Sequence, residues 1–580
     1  GYGHADFFEI VRRFYAGLIK LLMPLRWLLL AGYTVLAGLL VGWWLLGHPG
    51  VGTEIFPVVD AGQFQMRLRA PTGTRIHQTE KMTLQAFDII KETVGADNIR
   101  ISLAYVGLPS TNYPINNIYL WTSGPEEAML RVALKPGSGK RIEELKETLR
   151  KVLPRRLKAW MRDSLSAEGL PTEVVEQRVQ GLRLSFEPAD IVNEVMSFGA
   201  PTPIEIAVSG KNLDHNREHA EKIRQELMKI PSLRDLQYLQ PLDYPTIDVT
   251  VDREKLGRSG GTVKNLADAV VAATSSSRYL APIFWPDPKT GIGFQVQVEI
   301  PADRVTKLDD LGQLIIEDGG NGSPLRVRDV ASIKKDKMPG AYDRYNMRRQ
   351  ISLTANRQDE DLGRVAAKIS RAIAAAGAAP RGVEVDVRGQ IPPFREMFEG
   401  LAFGLAIAGL AIFLLLTGYF QSPRLALVVM ATVPAVLVGV MLALVVTRTT
   451  LNLQSFMGAI MALGVAVANA ILFVTFAERQ RRQGTPADQS AIEGARQRLR
   501  PILMTSCAMI AGMLPMALGL GEGGEQTAPL GRAVIGGLLA ATVATLGILP
   551  FIFAIVQRHA KTTSPSLDPD DPASPHYAKA

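Results

Sequence analysis

Six stretches of this chain are long and apolar enough to cross a bilayer, and that limits what it can fold into more than any other feature. A helix needs roughly 20 mainly apolar residues to span about 30 Å of hydrocarbon. Residues 27–46 form the first such run, with no charge inside it. The others are 401–417, 425–446, 455–476, 502–520 and 533–556. Pro434, Pro515 and Pro550 fall within them, which spans tolerate when neighbouring helices take up the freed carbonyls. Between the first run and the second lie about 350 residues of mixed, charged sequence, so the overall hydrophobic fraction of 47% averages two unlike regions.

Lys and Arg in the short loops set the orientation. Arg12, Arg13, Lys20 and Arg26 precede the first span, and Arg479, Arg481, Arg482, Arg496, Arg498 and Arg500 lie between the fourth and fifth. The opposite loops carry little beyond Arg448 in one and Glu522, Glu525 and Arg532 in the other. Both ends are therefore expected in the cytoplasm, with the large domain outside. Residues 6–22 place Phe7, Phe8, Ile10, Val11, Phe14, Leu18 and Leu22 on one side. Residues 1–26 are thus expected either to lie in the membrane interface or to extend the span at 27–46.

The outer region, 47–396, alternates strands and helices. Strands are expected at 63–70, 98–106, 118–122 and 130–134, with helices at 77–94 and 142–157. A second set has strands at 204–209, 236–239, 246–251, 350–355 and 383–387, with helices at 214–229 and 362–375. This pattern predicts α+β sandwiches with split βαβ connectivity. Residues 252–339 interrupt the second set as an inserted subdomain, with a helix at 263–273 and strands at 294–298 and 314–316. The porter portions are then 47–251 and 340–396, followed by spans at 397–558 and a Pro-, Ser- and Asp-rich tail at 559–580 expected to be disordered.

Several classes of function are excluded. There is no P-loop, no zinc spacing and no Gly-x-Ser-x-Gly, so the chain is not expected to be an enzyme, to hydrolyse ATP or to hold a cofactor. His48, His77 and His215 are isolated, and the single cysteine, Cys507, sits in an apolar run without a second ligand. The net charge of +8 comes largely from residues flanking spans, and no basic patch with stacking aromatics suggests nucleic acid. The chain opens on Gly1 with no cleavable signal before the first span, and is expected to be part of a longer protein.

Particular motifs resemble a known family. Residues 54–62 (EIFPVVDAG) are similar to its Phe-Leu-Pro-x-x-Asp-x-Gly signature after a span. Residues 246–255 (TIDVTVDREK) and 342–346 (YDRYN) resemble the strands entering and leaving its docking insert. Residues 419–423, 469–472 (NAIL) and 498–506 (RLRPILMTS) are also similar. In this order they identify the chain as resembling the resistance–nodulation–division (RND) efflux permeases, of the hydrophobe/amphiphile type, and specifically their carboxyl-terminal half. The resemblance implies a homotrimer in the bacterial inner membrane, completed by an amino-terminal half, with the large domain in the periplasm. It implies a periplasmic adaptor and an outer-membrane channel as partners, and proton-driven export of hydrophobic or amphiphilic compounds. No metal site is implied.

The resemblance also places candidate residues. The family usually has a lysine where this chain has Ala468, facing carboxylates of the other half. Asn469 is the nearest polar group, either a partner for such a carboxylate or a packing amide. Thr505 and Arg498 match proton-pathway positions, although Arg498 also fits a cytoplasmic anchor. Gly458, Ala462, Ala466 and Ala470 form a small-residue stripe at i, i+4, i+8 and i+12 that allows close helix approach. Residues 105–121 match the family's switch-loop region and offer Tyr105, Leu108, Tyr113, Tyr119 and Trp121 for apolar substrates. Met66, Met82, Met129 and Met196 are scattered, which weakens a soft-metal reading. The alternatives are a metal or lipid exporter on the same fold, or a non-transporting assembly subunit without its own relay.

Overall fold

The protein is seen here in a computed structural model that describes residues 3–45, 51–57, 59–108, 122–301, 304–305, 307–318, 324–521 and 523–560. Six helical segments in it are long and apolar enough to cross a membrane. The chain enters through α1 (Gly3–Leu22) and α2 (Arg26–Leu45), joined by one 3-10 turn at Met23–Leu25 that carries Pro24.

The first outer subdomain is a four-stranded antiparallel sheet in the order β2-β3-β1-β4. It comprises β1 (Gln63–Arg69), α3 (Ile76–Val94), β2 (Ile99–Val106), β3 (Glu127–Leu134), α4 (Ile142–Ala167), α5 (Thr172–Gly181) and β4 (Arg183–Glu187). Alternation sorts its faces. Phe64, Met66 and Leu68 of β1, with Ala128, Leu130 and Val132 of β3, join Ile89, Leu149 and Leu153 of the helices in one core. The helix expected at 142–157 runs ten residues further because Met161 and Leu165 continue its buried stripe. α5 and β4 were not expected, since their charged composition hides a buried stripe of only Val175 and Val179.

A short helix, α6 (Ile191–Met196), is capped by Asp190 and leads to the second subdomain. This begins with β5 (Ile204–Gly210), α7 (Leu213–Leu227) and β6 (Leu233–Tyr238). The insert then leaves along β7 (Tyr244–Val251). It holds α8 (Arg253–Arg258), α9 (Val263–Thr274), the hairpin β8 (Ile283–Pro286)–β9 (Gly293–Val296), α10 (Leu308–Gly312), β10 (Ile315–Asp318), β11 (Pro324–Arg326) and α11 (Val327–Val330). It returns along β12 (Ala331–Met338), which pairs with β7 from Ala331↔Val251 to Met338↔Tyr244 as a two-stranded stalk. The subdomain closes with β13 (Arg344–Tyr345), β14 (Arg348–Arg357), α12 (Leu362–Ala375) and β15 (Val383–Gly389), in the order β13-β14-β5-β15 with β6 also on β14. Residues 118–121 of the expected strand at 118–122 lie outside the described residues.

The membrane portion follows at once. α13 (Ile391–Phe420) starts ten residues before the apolar run because Ile391 and Phe394 are already buried under the second subdomain. The next span is broken into α14 (Pro423–Met430) and α15 (Val433–Val446) beside Pro434. α16 (Leu453–Arg482) and α17 (Ala487–Leu518) are continuous. The last span is α18 (Gly524–Gly547), and Pro550 starts a separate α19 (Leu549–Gln557). α1 lies against the cytoplasmic end of α17 through Glu9–Arg496 at 3.1 Å, while Ile10, Phe14, Leu18 and Leu21 remain exposed along one side.

α18 is the centre of the bundle, packed on α15, α16 and α17. The stripe Gly458, Ala462, Ala466 and Ala470 is buried as expected, with Ala533 of α18 and Ala462 in the same cluster. Gly439 and Gly536 meet backbone to backbone, so a Cβ on Gly536 would strike the Gly439 carbonyl and the Ala443 methyl. Gly536→Ala is therefore expected to cost about 1–3 kcal/mol through overpacking. Gly409→Ala, at a position with nothing within 4 Å, is expected to be neutral. Thermal unfolding of the two variants in detergent measures the difference.

Candidate functional site

The two outer subdomains meet where the edges of β4 and β6 approach each other. Asp235, at a left-handed φ of 55°, turns its carboxylate towards β4. It accepts from Phe186 N at 3.1 Å, from Arg150 Nη2 at 2.8 Å and from Asn356 Nδ2 at 2.9 Å. The side of the first sheet away from its helices is charged yet buried. Arg67 Nε lies 2.6 Å from Glu187 Oε1, and its Nη1 3.0 Å from Glu127 Oε2. Arg69 Nε reaches Glu127 Oε1 at 2.7 Å, and its two Nη atoms donate to the carbonyls of Tyr238 and Leu239 in the second subdomain. Burial works against the Arg67 charge, but Glu187 and Glu127 outweigh it and hold the guanidinium above its usual value.

Between the subdomains, on the side towards the membrane, lies a cavity of about 450 Å³. Its floor includes Gly52–Pro57 and Thr450, and its walls come from α4, β4, α6 and the segment 356–364. Seven carboxylates line it against four Lys and Arg side chains. Most are engaged: Glu54 with Arg357 at 2.8 Å, Glu143 with Lys146 at 2.8 Å, and Asp190 and Asp361 as helix caps. Among the described residues no three His, Cys, Asp or Glu side chains gather at metal-binding spacing. The cavity is an acidic vestibule rather than a preformed metal centre.

The methionines are not brought together. Met66 and Met82 are in the first core, Met129 is buried opposite Tyr105, and only Met196 lines the cavity. Of the aromatic candidates, Tyr105 lies on the edge strand β2, in a row with Ile101 (60% exposed) and Leu103 (47% exposed); Leu108, past the strand end, is also exposed. Tyr113, Tyr119 and Trp121 lie outside the described residues. Beside this strand end, Glu126 is buried with both carboxylate oxygens lacking a hydrogen bond, and burial and the neighbouring Glu127 charge push its pKa up.

In the membrane, Asn469 and Thr505 are neighbours: Thr505 Oγ1 lies 3.0 Å from the Ile502 carbonyl and 3.4 Å from Asn469 Oδ1, and its one proton is shared between these two acceptors. Asn469 is buried between helices, whereas Ala468 lies on the exposed side of α16 in line with Gly464 and Leu472. Arg498 is not with them. Its guanidinium sits 5.5 Å from the centroid of Phe476, seven residues or about 10 Å along the helix from Thr505. Sequence reasoning missed a second polar contact, Thr542 Oγ1 to Ser506 Oγ at 2.7 Å, because a lone Thr in an apolar run gives little signal. It also missed Glu478 and Arg481, paired at 2.8 Å and buried just past the apolar run of the fourth span.

The chain matches the profile of the AcrB/AcrD/AcrF family over residues 3–557. The nickel-cobalt-cadmium resistance protein NccA of Alcaligenes xylosoxydans xylosoxydans is 30% identical over 373 residues, 64% of this chain and 34% of that protein. The multidrug resistance protein MdtC of Erwinia amylovora is 26% identical over 350 residues, 60% of this chain and 33% of that protein. The crystal structure of a heavy metal efflux pump superposes with a TM-score of 0.77 at 22% identity, covering 95% of this chain and 52% of that one. The chain thus spans about half the length of that pump, and the matched segment about a third of each curated relative.

The latch between the subdomains makes a direct prediction. Arg67→Ala leaves buried Glu187 without its arginine and Glu127 with Arg69 alone on the face that meets the second subdomain, and is expected to destabilise the outer domain by about 3–5 kcal/mol. Arg162→Ala, which breaks an exposed pair with Glu176, is expected to leave the melting temperature unchanged. Thermal melts followed by circular dichroism check both.

Proposed function

Since the chain belongs to the AcrB/AcrD/AcrF family of RND permeases, which are transporters and not enzymes, we propose that it is the carboxyl-terminal half of a proton-driven exporter of divalent metal cations. It is a multi-pass inner-membrane protein with a large domain outside the membrane. The observation that carries the substrate reading is the carboxylate-rich cavity between the two outer subdomains: seven carboxylates line it against four basic groups, Arg67 and Lys368 pair with Glu187 and Glu360 from outside the lining, and Asp190 and Asp359 have no ion pair among the described residues. An excess of one sign in a low-dielectric cleft concentrates ions of the other, and oxygen ligands suit borderline and hard divalent cations better than soft ones. The name of the nickel-cobalt-cadmium relative points the same way. This replaces hydrophobe export, expected from the motifs, as the leading reading.

In this reading the cavity collects cations from the periplasm and the missing ligands come from the amino-terminal half. The inserted subdomain on its β7–β12 stalk faces the adaptor and outer-membrane channel, within a homotrimer, and α1 lies in the membrane interface. Asn469 and Thr505 form this half's side of the proton pathway, with Ala468 leaving the charge to the other half. A second reading, amphiphile export, is favoured by the exposed row Ile101, Leu103 and Tyr105, with Leu108 exposed beyond the strand end, and by the multidrug relative.

The test uses the full-length permease in a metal-sensitive host and in everted vesicles. Expression is expected to raise tolerance to zinc, cobalt or nickel, and vesicles are expected to take up the metal until a protonophore collapses the gradient. Gradient-dependent movement of ethidium without movement of any of the three metals would transfer the assignment to the second reading. Metal movement that ignores the protonophore would end the proton-driven part.

A further inference from the structure

The entrance to α16 is bound to the outer domain more tightly than a loop requires. The segment 52–55 runs extended between residue 451, just before α16, and the start of α12. Thr53 and Leu451 form a parallel bridge. Leu451 N donates to the Gly52 carbonyl at 2.7 Å, Glu54 N to the Leu451 carbonyl at 3.0 Å, and Leu453 N to the Ile55 carbonyl at 3.1 Å. On the other side Gly363 N donates to the Thr53 carbonyl at 3.1 Å and Thr53 N to Asp361 Oδ2 at 2.9 Å. A Cβ at Gly363 would collide with the Thr53 hydroxyl, so the close approach depends on glycine there.

Side chains fix this strap from both ends. Glu54 is buried, and its carboxylate takes Arg357 Nη1 of the second subdomain at 2.8 Å and Thr450 Oγ1 of the membrane side at 3.2 Å. Asn452 then caps α16 reciprocally with Ser455. Glu54 is thus the one side chain among the described residues seen to hold both Arg357 and Thr450. The helix that begins beside it carries Ala468 and Asn469 about 24 Å further on. The same strap is part of the cavity floor.

We propose that segment 52–55 is the transmission element of the transport cycle and that Glu54 is its positioning residue. A helix is stiff along its axis, and packed interfaces switch between discrete arrangements rather than stretching. A shift of α16 during proton transfer therefore carries the second subdomain with it through the strap, and changes the cavity floor in the same movement. This rests on the transport reading above, but not on which substrate is carried.

The experiment reconstitutes the full-length permease in proteoliposomes with an imposed pH gradient and assays zinc and ethidium separately. Glu54→Gln keeps the size of the side chain but removes the charge that holds Arg357. It is expected to lower the maximal rate about tenfold or more while KM stays within about twofold. Thr450→Val leaves the ion pair and is expected to lower the rate roughly twofold to fivefold. Thr53→Cys with Leu451→Cys, in a Cys507→Ser background, tethers strap to helix entry. Its oxidised form is expected to transport within about twofold of its reduced form, because the two segments travel together. An unchanged maximal rate in Glu54→Gln overturns the proposal. So does a raised KM at full rate, which would make Glu54 a substrate ligand, and so does arrest by the disulfide, which would mean that strap and helix slide past each other. Transport of ethidium alone by the unsubstituted protein removes the metal reading while the variants still decide the role of the strap.

Discussion

Hydrocarbon offers backbone groups no hydrogen-bond partner, and the organisation of this chain follows from that. Every segment at membrane depth is helical. The two interruptions, at Ala431–Thr432 and at Ile548, occur beside prolines and are held by neighbours: the Ala431 carbonyl accepts from Tyr33, and Tyr33 Oη accepts in turn from Ala435 N. The remaining irregular backbone lies outside the spans, in the outer domain and in short turns such as 421–422 and 483–486, where water can satisfy it. The strap at 52–55 sits at that boundary, and its extended backbone is saturated by residue 451 on one side and Gly363 on the other.

The same rule sorts what could be read from sequence. Apolar runs gave the number and order of spans correctly, because hydrophobicity is what the bilayer selects. Helix ends were misjudged wherever a helix outlasts the hydrocarbon. α17 starts fifteen residues before its apolar run, since 487–501 pack against α1 and carry Asp488, paired with Arg26 at 2.6 Å. In the outer domain, period-two alternation identified β1 and β5 but not β4, whose buried positions include Ser185 and Glu187. A strand that buries charge is illegible until its partners are known.

The candidate sites were legible in the same uneven way. Asn469 and Thr505 lie 36 residues apart, and no periodicity in the sequence joins them; the motif resemblance did, and the structure brings them together. Arg498 matched a motif equally well and is elsewhere, stacked on Phe476 near the cytoplasmic end. The acidic cavity had no sequence signature at all. Its carboxylates come from five separate segments, and most have a local role as a cap or an ion-pair partner. Its charge balance is a property of assembly.

On the proposed proton-driven reading, that division bears on how this half, with alanine where the family resemblance places a lysine, takes part in coupling. A proton site and a transmission path need not share residues. The site needs a titratable group whose charge changes; the path needs stiffness and continuous contact. Ala468 cannot change charge, and Asn469 and Thr505 are neutral hydrogen-bonding groups, so on the proposed reading the titrating charge is supplied from elsewhere than these three positions. α16 nevertheless has the second requirement in full: thirty residues without a proline, buried small residues against α18, and a capped end bonded through the strap to the second subdomain. A helix built this way responds to a charge that it does not carry. In the proposed cycle, alanine at position 468 gives this half no charge to contribute there, and the role left to α16 is mechanical.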